Sequence, residues 1–138
     1  MRVYGNTKSL EKIKIHTLIR ELSDIINVSI ASLEINFVNV NKIRKINSKY
    51  LKHKYSTDII TFNYSDYKKE IDGEIFISVD DAEENALKYK VSFNEEIARL
   101  VIHGILHLLG FDDMKKKDKI KMKRQENKLL NTLKFILL

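Results

Sequence analysis

Two histidines four residues apart, followed by two aspartates, are the residues of this chain best suited to chemistry. His103 and His107 lie in the run HGILHLLGFDD, which ends with Asp112 and Asp113. On a helix, side chains at i and i+4 share one face with Cβ atoms about 5–6 Å apart, so both imidazoles can bind one ion. Gly110 is typical of a helix end, after which the chain can return either aspartate to that ion. Two histidines and one carboxylate leave one position of a tetrahedral zinc open, as in catalytic sites.

The same spacing has a plainer explanation. Two histidines at i and i+4 also occur by chance on an amphipathic helix, where a histidine facing the core is usually only hydrogen-bonded. The run also lacks the glutamate that follows the first histidine of HExxH metalloproteases and acts as their general base, because Gly104 takes that place. The run therefore has the histidine spacing of a metallopeptidase but lacks the glutamate that would act as general base.

Three segments of the chain together resemble the YbeY family of bacterial rRNA maturation factors. HGILHLLGFDD is similar to the family's HGxLHLxGYDH motif. INSKY at 46–50 and STDIITF at 56–62 resemble its LNxxYR…PTDVLSF segment, and GEIFIS at 73–78 resembles its GDIxIS strand. These segments follow the family's order over most of the chain; the N-terminal helix and the C-terminal tail carry no such motif.

The resemblance implies a metal-dependent, single-strand-directed endoribonuclease acting in rRNA maturation and ribosome quality control. It implies one zinc ion held by His103, His107 and Asp113, which would also be the catalytic residues. Its implied partners are RNA, chiefly an rRNA precursor, and the small ribosomal subunit. Asp113 stands where the family usually has a third histidine, although aspartate also binds zinc. Leu51 stands at the family's arginine position, which weakens the expectation of catalysis more than that of fold.

Basic residues near these motifs are the candidates for substrate contact: Lys52, His53, Lys54, Arg99, Lys115 and Lys116. Lys52 and Lys54 can attract phosphate but do not reproduce a bidentate guanidinium. The plainer explanations are a solvated loop or helix start for the lysines and His53. For Arg99 the plainer explanation is a surface ion pair with Glu96 at i, i+3.

Composition predicts one globular domain spanning residues 1–138, with 43% hydrophobic and 32% charged residues. The chain has no cysteine, which excludes disulfides and thiolate ligands for zinc. No secretory signal follows the first residues and no apolar run could span a membrane, so we expect a cytoplasmic protein without membrane association. A net charge of +6 favours polyanionic partners such as nucleic acid. The sequence does not determine the oligomeric state.

Hydrophobic periodicity predicts the element order α-β-α-β-β-α-α-α, with an optional first strand near Val3. We expect an α+β fold in which helices cover a small mixed sheet, with the metal-ligand helix near the C-terminal third. Asp80 or Asp81 is the predicted N-cap of the helix before it. Ser92 and Glu95 form a predicted capping box for the ligand helix itself.

Two other functions are consistent with these residues. One is a non-catalytic ribosome-assembly factor whose zinc site mainly holds the fold, an alternative that Leu51 favours. The other is a metal hydrolase acting on a peptide or a small molecule, although Gly104 argues against a peptidase.

Overall fold

Strands and helices are mixed in the first part of the chain and helices fill the last part, in a computed structural model that describes residues 1–8, 10–51, 57–67, 69–111 and 114–138. The predicted order of elements is confirmed, including the optional first strand. The described elements are β1 (Arg2–Gly5), α1 (Lys12–Ile26), β2 (Ser29–Val38), α2 (Val40–Leu51), β3 (Ile59–Asn63), β4 (Glu70–Ser78), α3 (Val79–Tyr89), α4 (Phe93–Leu108), α5 (Lys116–Leu133) and a final 3₁₀ turn (Lys134–Leu137).

The strands form one mixed sheet in the order β1-β2-β4-β3. β1 runs parallel to β2 and β2 runs parallel to β4, whereas β3 is antiparallel to β4. The two parallel connections pass through α1 and through α2 with β3, while β3 and β4 form a hairpin. The prediction of an α+β fold with a small mixed sheet is confirmed.

The hydrophobic core lies mainly between one face of the sheet and helices α1, α4 and α5. Leu33, Ile35 and Phe37 alternate along β2 and are buried there, as the sequence pattern predicts. A smaller cluster on the other face joins Ile60 of β3 to α2. α4 is buried along most of its length, so its position is fixed by the core. No helix in the described ranges is long and apolar enough to cross a membrane.

Serine hydroxyls begin the two helices that lead to the predicted ligand run. Ser92 accepts a hydrogen bond from the Glu95 N–H at 3.1 Å, which confirms the serine half of the predicted capping box of α4, while the Glu95 carboxylate lies 3.4 Å from Lys134. The predicted cap of α3 is wrong, because Ser78 accepts from the Asp81 N–H at 3.3 Å and the helix begins at residue 79. Asp80 instead accepts from the N–H of Val40 at 2.8 Å, at the start of α2.

Two glycines allow α4 to lie close to the sheet. A Cβ atom on Gly73 would collide with the backbone carbonyl oxygen of Phe62 and lie 2.9 Å from Leu108 Cδ2, at the end of α4. A Cβ atom on Gly104 would lie 2.9 Å from Ile75 Cδ1 and would meet only side-chain atoms. The first contact is with backbone and the second is with a methyl group that can move.

We expect these glycines to respond differently to alanine. Gly73→Ala should destabilise the fold by about 1–3 kcal/mol, because relief of the clash would disturb the β3–β4 hairpin. Gly104→Ala should stay within about 1 kcal/mol of the parent, because the gain in helix propensity offsets the shift of a methyl group. Urea unfolding monitored by circular dichroism measures both; equal losses would contradict this account.

Candidate functional site

The last two turns of α4 bring the two predicted histidines together. The Nε2 atoms of His103 and His107 are 3.1 Å apart, with ring centroids separated by 4.7 Å. Two nitrogens bound to one tetrahedral zinc at 2.0–2.1 Å lie about 3.3 Å apart. The separation of the two nitrogens is therefore close to that expected for a shared ion.

A Schellman turn ends the helix directly after this pair. Gly110 has a φ of +96°, and its N–H donates to the His107 carbonyl at 3.0 Å. The N–H of Phe111 donates to the Leu106 carbonyl, also at 3.0 Å. The predicted helix stop at Gly110 is confirmed. The turn directs the chain away from the axis of α4 immediately before the two predicted aspartates.

A buried glutamate from α5 holds the first imidazole. The Nδ1 atom of His103 lies 2.5 Å from Oε1 of Glu126, whose side chain is only 1% exposed. A carboxylate accepts hydrogen bonds, so this contact places a proton on Nδ1 and makes Nε2 the acceptor nitrogen of the neutral ring, 3.1 Å from Nε2 of His107. Metal-binding histidines in proteins commonly have such a carboxylate partner.

Glu126 is kept ionised by its neighbours. Burial raises the pKa of Glu126, but hydrogen bonds from His103 and Lys123 outweigh that effect and bring the pKa below its ordinary value. The Lys123 ammonium is 2.9 Å from Oε2 of Glu126. One carboxylate oxygen therefore accepts a hydrogen bond from the histidine and the other accepts one from the lysine.

Arg99 lies one turn before His103 and joins several acids. Its Nε and one Nη donate to the two carboxylate oxygens of Glu96 at 2.7 and 2.6 Å. The predicted pair is confirmed but its surface location is wrong, because the side chain of Glu96 is 1% exposed. The guanidinium also lies 3.7 Å from Glu126 and 3.8 Å from Asp58. Burial lowers the pKa of Arg99, but the neighbouring acids raise it by more than burial lowers it. The guanidinium therefore stays charged.

An asparagine connects this helix to the neighbouring elements. The Nδ2 atom of Asn85 on α3 lies 3.1 Å from both Asp58 and Glu96, and donates to each. Asp58 precedes β3, so the network reaches from the sheet edge through α3 and α4 to α5. These side chains fix the turn of α4 on which His103 stands.

A cavity of about 580 Å³ opens beside His103 between α4 and α5. Arg99 and Lys116, two of the predicted substrate-binding residues, line this cavity. Lys115 is the exposed N-cap residue of α5 and does not line it. Lys116 therefore lies in the same cavity as His103, and its contact with substrate stays a prediction.

Several predicted residues lie outside the described part of the chain. They are Lys52, His53, Lys54, Asp112 and Asp113. Within the described ranges, no group of three histidine, cysteine or acidic side chains is arranged to hold a metal ion. The histidine pair provides two of the three predicted ligands, and the metal site stays a prediction whose third ligand falls on the undescribed aspartates.

The sequence reasoning missed Glu126, Asn85 and the burial of Glu96. Glu126 carried a usable signal, because it shares the buried stripe of α5 with Met122, Leu129 and Leu133 at helical spacing. A glutamate within an apolar stripe needs a buried partner. Asn85 offers no such signal, because its partners lie 27 and 11 residues away along the chain.

Comparison with known proteins assigns this chain to a family. The family model described as endoribonuclease YbeY matches residues 4–134. The chain belongs to the YbeY family. A Chlorobium limicola member is 37% identical over 132 residues, which cover 95% of this chain and 91% of that protein. A Chlorobaculum tepidum member is 34% identical, covering 97% of this chain and 98% of its own length. The resemblance inferred from the motifs is confirmed.

A solved structure shares the YbeY-like fold. The solution structure of a Thermotoga maritima protein superposes with a TM-score of 0.67 at 26% sequence identity. The alignment covers 96% of this chain and 87% of that one. The similarity includes the sheet and the helix that carries the histidine pair, because nearly the whole chain is aligned.

We expect the buried ion pair to be essential for stability. Glu96→Ala leaves Arg99 without its bidentate partner in a largely buried position, which should cost about 3–5 kcal/mol. Glu83→Ala is the matched control, because its pair with Lys8 is exposed (39% and 47%) and should contribute less than about 1 kcal/mol. Urea unfolding of both variants measures the difference, and similar small losses would show that the buried network is not stabilising.

Proposed function

We propose that this protein is a zinc-dependent endoribonuclease that cleaves single-stranded RNA during rRNA maturation. The observation that carries the proposal is the convergence of two imidazole nitrogens, 3.1 Å apart, with Glu126 oriented behind one of them. Membership of the YbeY family supports the nuclease activity. The proposal extends to precursor rRNA, to ribosome quality control with the small ribosomal subunit as partner, and to action in the cytoplasm.

In this proposal His103 and His107 hold one zinc ion together with Asp113. Zinc, when bound, supplies Lewis-acid activation of a phosphodiester and of water. Glu126 keeps the proton of His103 on Nδ1, so that Nε2 remains a ligand. Arg99 and Glu96 fix the preceding turn of α4, and the basic residues around the cavity attract the RNA backbone.

The surroundings of Gly104 argue against a peptidase-type mechanism. In HExxH enzymes the residue after the first histidine is the general base. Here that position faces β3 and β4, where even a Cβ atom would lie within 3.0 Å of Ile59 and Ile75. A glutamate could not occupy it without displacing the core. The site therefore lacks room for the general base that the alternative of peptide hydrolysis would need at this position.

A direct test uses labelled single-stranded RNA with purified protein. We expect cleavage that a chelator removes and added zinc restores. His107→Ala should reduce the rate by at least about 100-fold, because it removes a ligand. His16→Ala is the matched control, since this histidine lies on α1 away from the site and should leave the rate unchanged. Equal activity of His107→Ala and the parent would refute the proposal.

One specific observation favours the alternative of a non-catalytic assembly factor: Leu51 occupies the arginine position of the family motif. If this alternative is correct, the same RNA will bind without being cleaved at any zinc concentration. Purified small ribosomal subunits with immature rRNA ends provide the second substrate. Binding to them without end trimming would favour assembly over cleavage.

We expect metal affinity to identify the third ligand and the role of Glu126. Asp113→Asn should abolish zinc binding, whereas Asp112→Asn should largely retain it. Glu126→Gln should weaken zinc binding by about 10–100-fold through loss of the charged partner of His103. Competition with a chromophoric chelator measures all three affinities. The opposite order for the two aspartates would reassign the ligand, and full affinity in Glu126→Gln would exclude its orienting role.

A further inference from the structure

We propose that Lys116 and Lys119 on α5 hold the phosphates of one nucleotide flanking the cleavage position, with its base or ribose against Ile120. This inference rests on the proposed function, because it assumes that RNA reaches the histidine pair. It adds a defined binding subsite, built by α5, to the site on α4.

The geometry of α5 directs one row of lysines toward the site. Lys116, Lys119 and Lys123 are spaced i, i+3 and i+7, so they share one face of the helix. All three line the same cavity as His103. A second basic row, which includes Lys117 and Lys121, lies about 100° or more further around the helix and does not line this cavity.

The charges within this cavity are not equivalent. Lys123 is paired with Glu126 at 2.9 Å, and Arg99 is paired with Glu96 through two hydrogen bonds. Lys116 and Lys119 are exposed, and neither has an ion-pair partner among the residues that the structure describes. The two lysines at the outer end of the row are therefore available to an anion, while the inner cations are occupied in holding the site together.

The size and apolar part of the cavity indicate a nucleotide rather than a free phosphate. Its volume of about 580 Å³ falls within the range of pockets that bury small organic ligands. The cavity is lined by Ile120, which is 53% exposed, and by the buried Met122. A nucleotide is complementary to both kinds of lining residue: its charged phosphate matches the lysines, and the apolar face of its ring matches Ile120.

The position of the cavity suits a flanking nucleotide. It is lined both by His103 and by the two exposed lysines. A strand that enters over Lys116 and Lys119 would approach the histidine pair along α5. The row of lysines would therefore attract a single RNA strand and align it along α5 toward the histidine pair.

The test measures RNA binding separately from cleavage. Chelator-treated protein is titrated with a fluorescent single-stranded RNA at several salt concentrations, and anisotropy reports binding. The Lys116→Ala/Lys119→Ala double variant should bind about tenfold more weakly, and its salt slope should fall by about 1.4, or 0.7 per lost phosphate contact. The matched control is Lys117→Ala/Lys121→Ala, which removes the same charge from the same helix and should change affinity by less than about twofold.

Four outcomes decide the proposal. Loss confined to the first double variant supports it, and equal loss in both would overturn it, because the charge of α5 would then act without a defined site. Ile120→Ala should weaken RNA binding and leave the salt slope unchanged, since it removes no phosphate contact. An unaltered affinity in Ile120→Ala would overturn the assignment of a nucleotide to the cavity.

Cleavage assays keep this inference distinct from the proposed function. If the parent does not cleave RNA but the lysine effects on binding are as expected, the subsite stands and the nuclease proposal fails. If the parent cleaves RNA and both double variants bind and cleave like it, the nuclease proposal stands and the subsite is refuted. Circular dichroism should show all variants folded, because the substituted lysines are exposed.

Discussion

The contact between the carboxylate of Glu126 and the imidazole of His103 is the interaction on which the site depends. It joins α5 to α4, and it requires compensation because a buried carboxylate is otherwise costly. Lys123 compensates one oxygen, while Arg99 lies within 4 Å of the other and is held by Glu96. The polar residues around the histidine pair therefore form one connected unit.

Two glycines, one in β4 and one in α4, set the distance between the sheet and the helix that carries the histidine pair. Gly73 and Gly104 let α4 approach β4 more closely than a side chain would permit. The core stripe of α4 then faces the sheet, and the polar line that carries the histidines emerges toward α5. One face of α4 therefore packs in the hydrophobic core, while another face of the same helix carries the histidine pair.

The sequence predicted those parts of the structure that depend on local periodicity. The strand around Ile35, the capped ligand helix and its glycine stop each follow from patterns within one turn or one pleat. The N-cap of α3 was misplaced because Ser78 ends a buried strand and begins a helix at the same residue. The links from Glu126 to His103 and from Asn85 to Asp58 were not predicted, because 23 and 27 residues separate the partners and only packing brings them together.

The histidine pair stands on a helix whose other face is the hydrophobic centre of the molecule. The apolar core therefore holds the helix that sets the spacing of the two nitrogens. This differs from small zinc modules, in which metal binding and chain folding are one event. For the proposed zinc site it follows that loss of the ion would leave the fold intact, so that occupancy would follow the supply of metal in the surroundings.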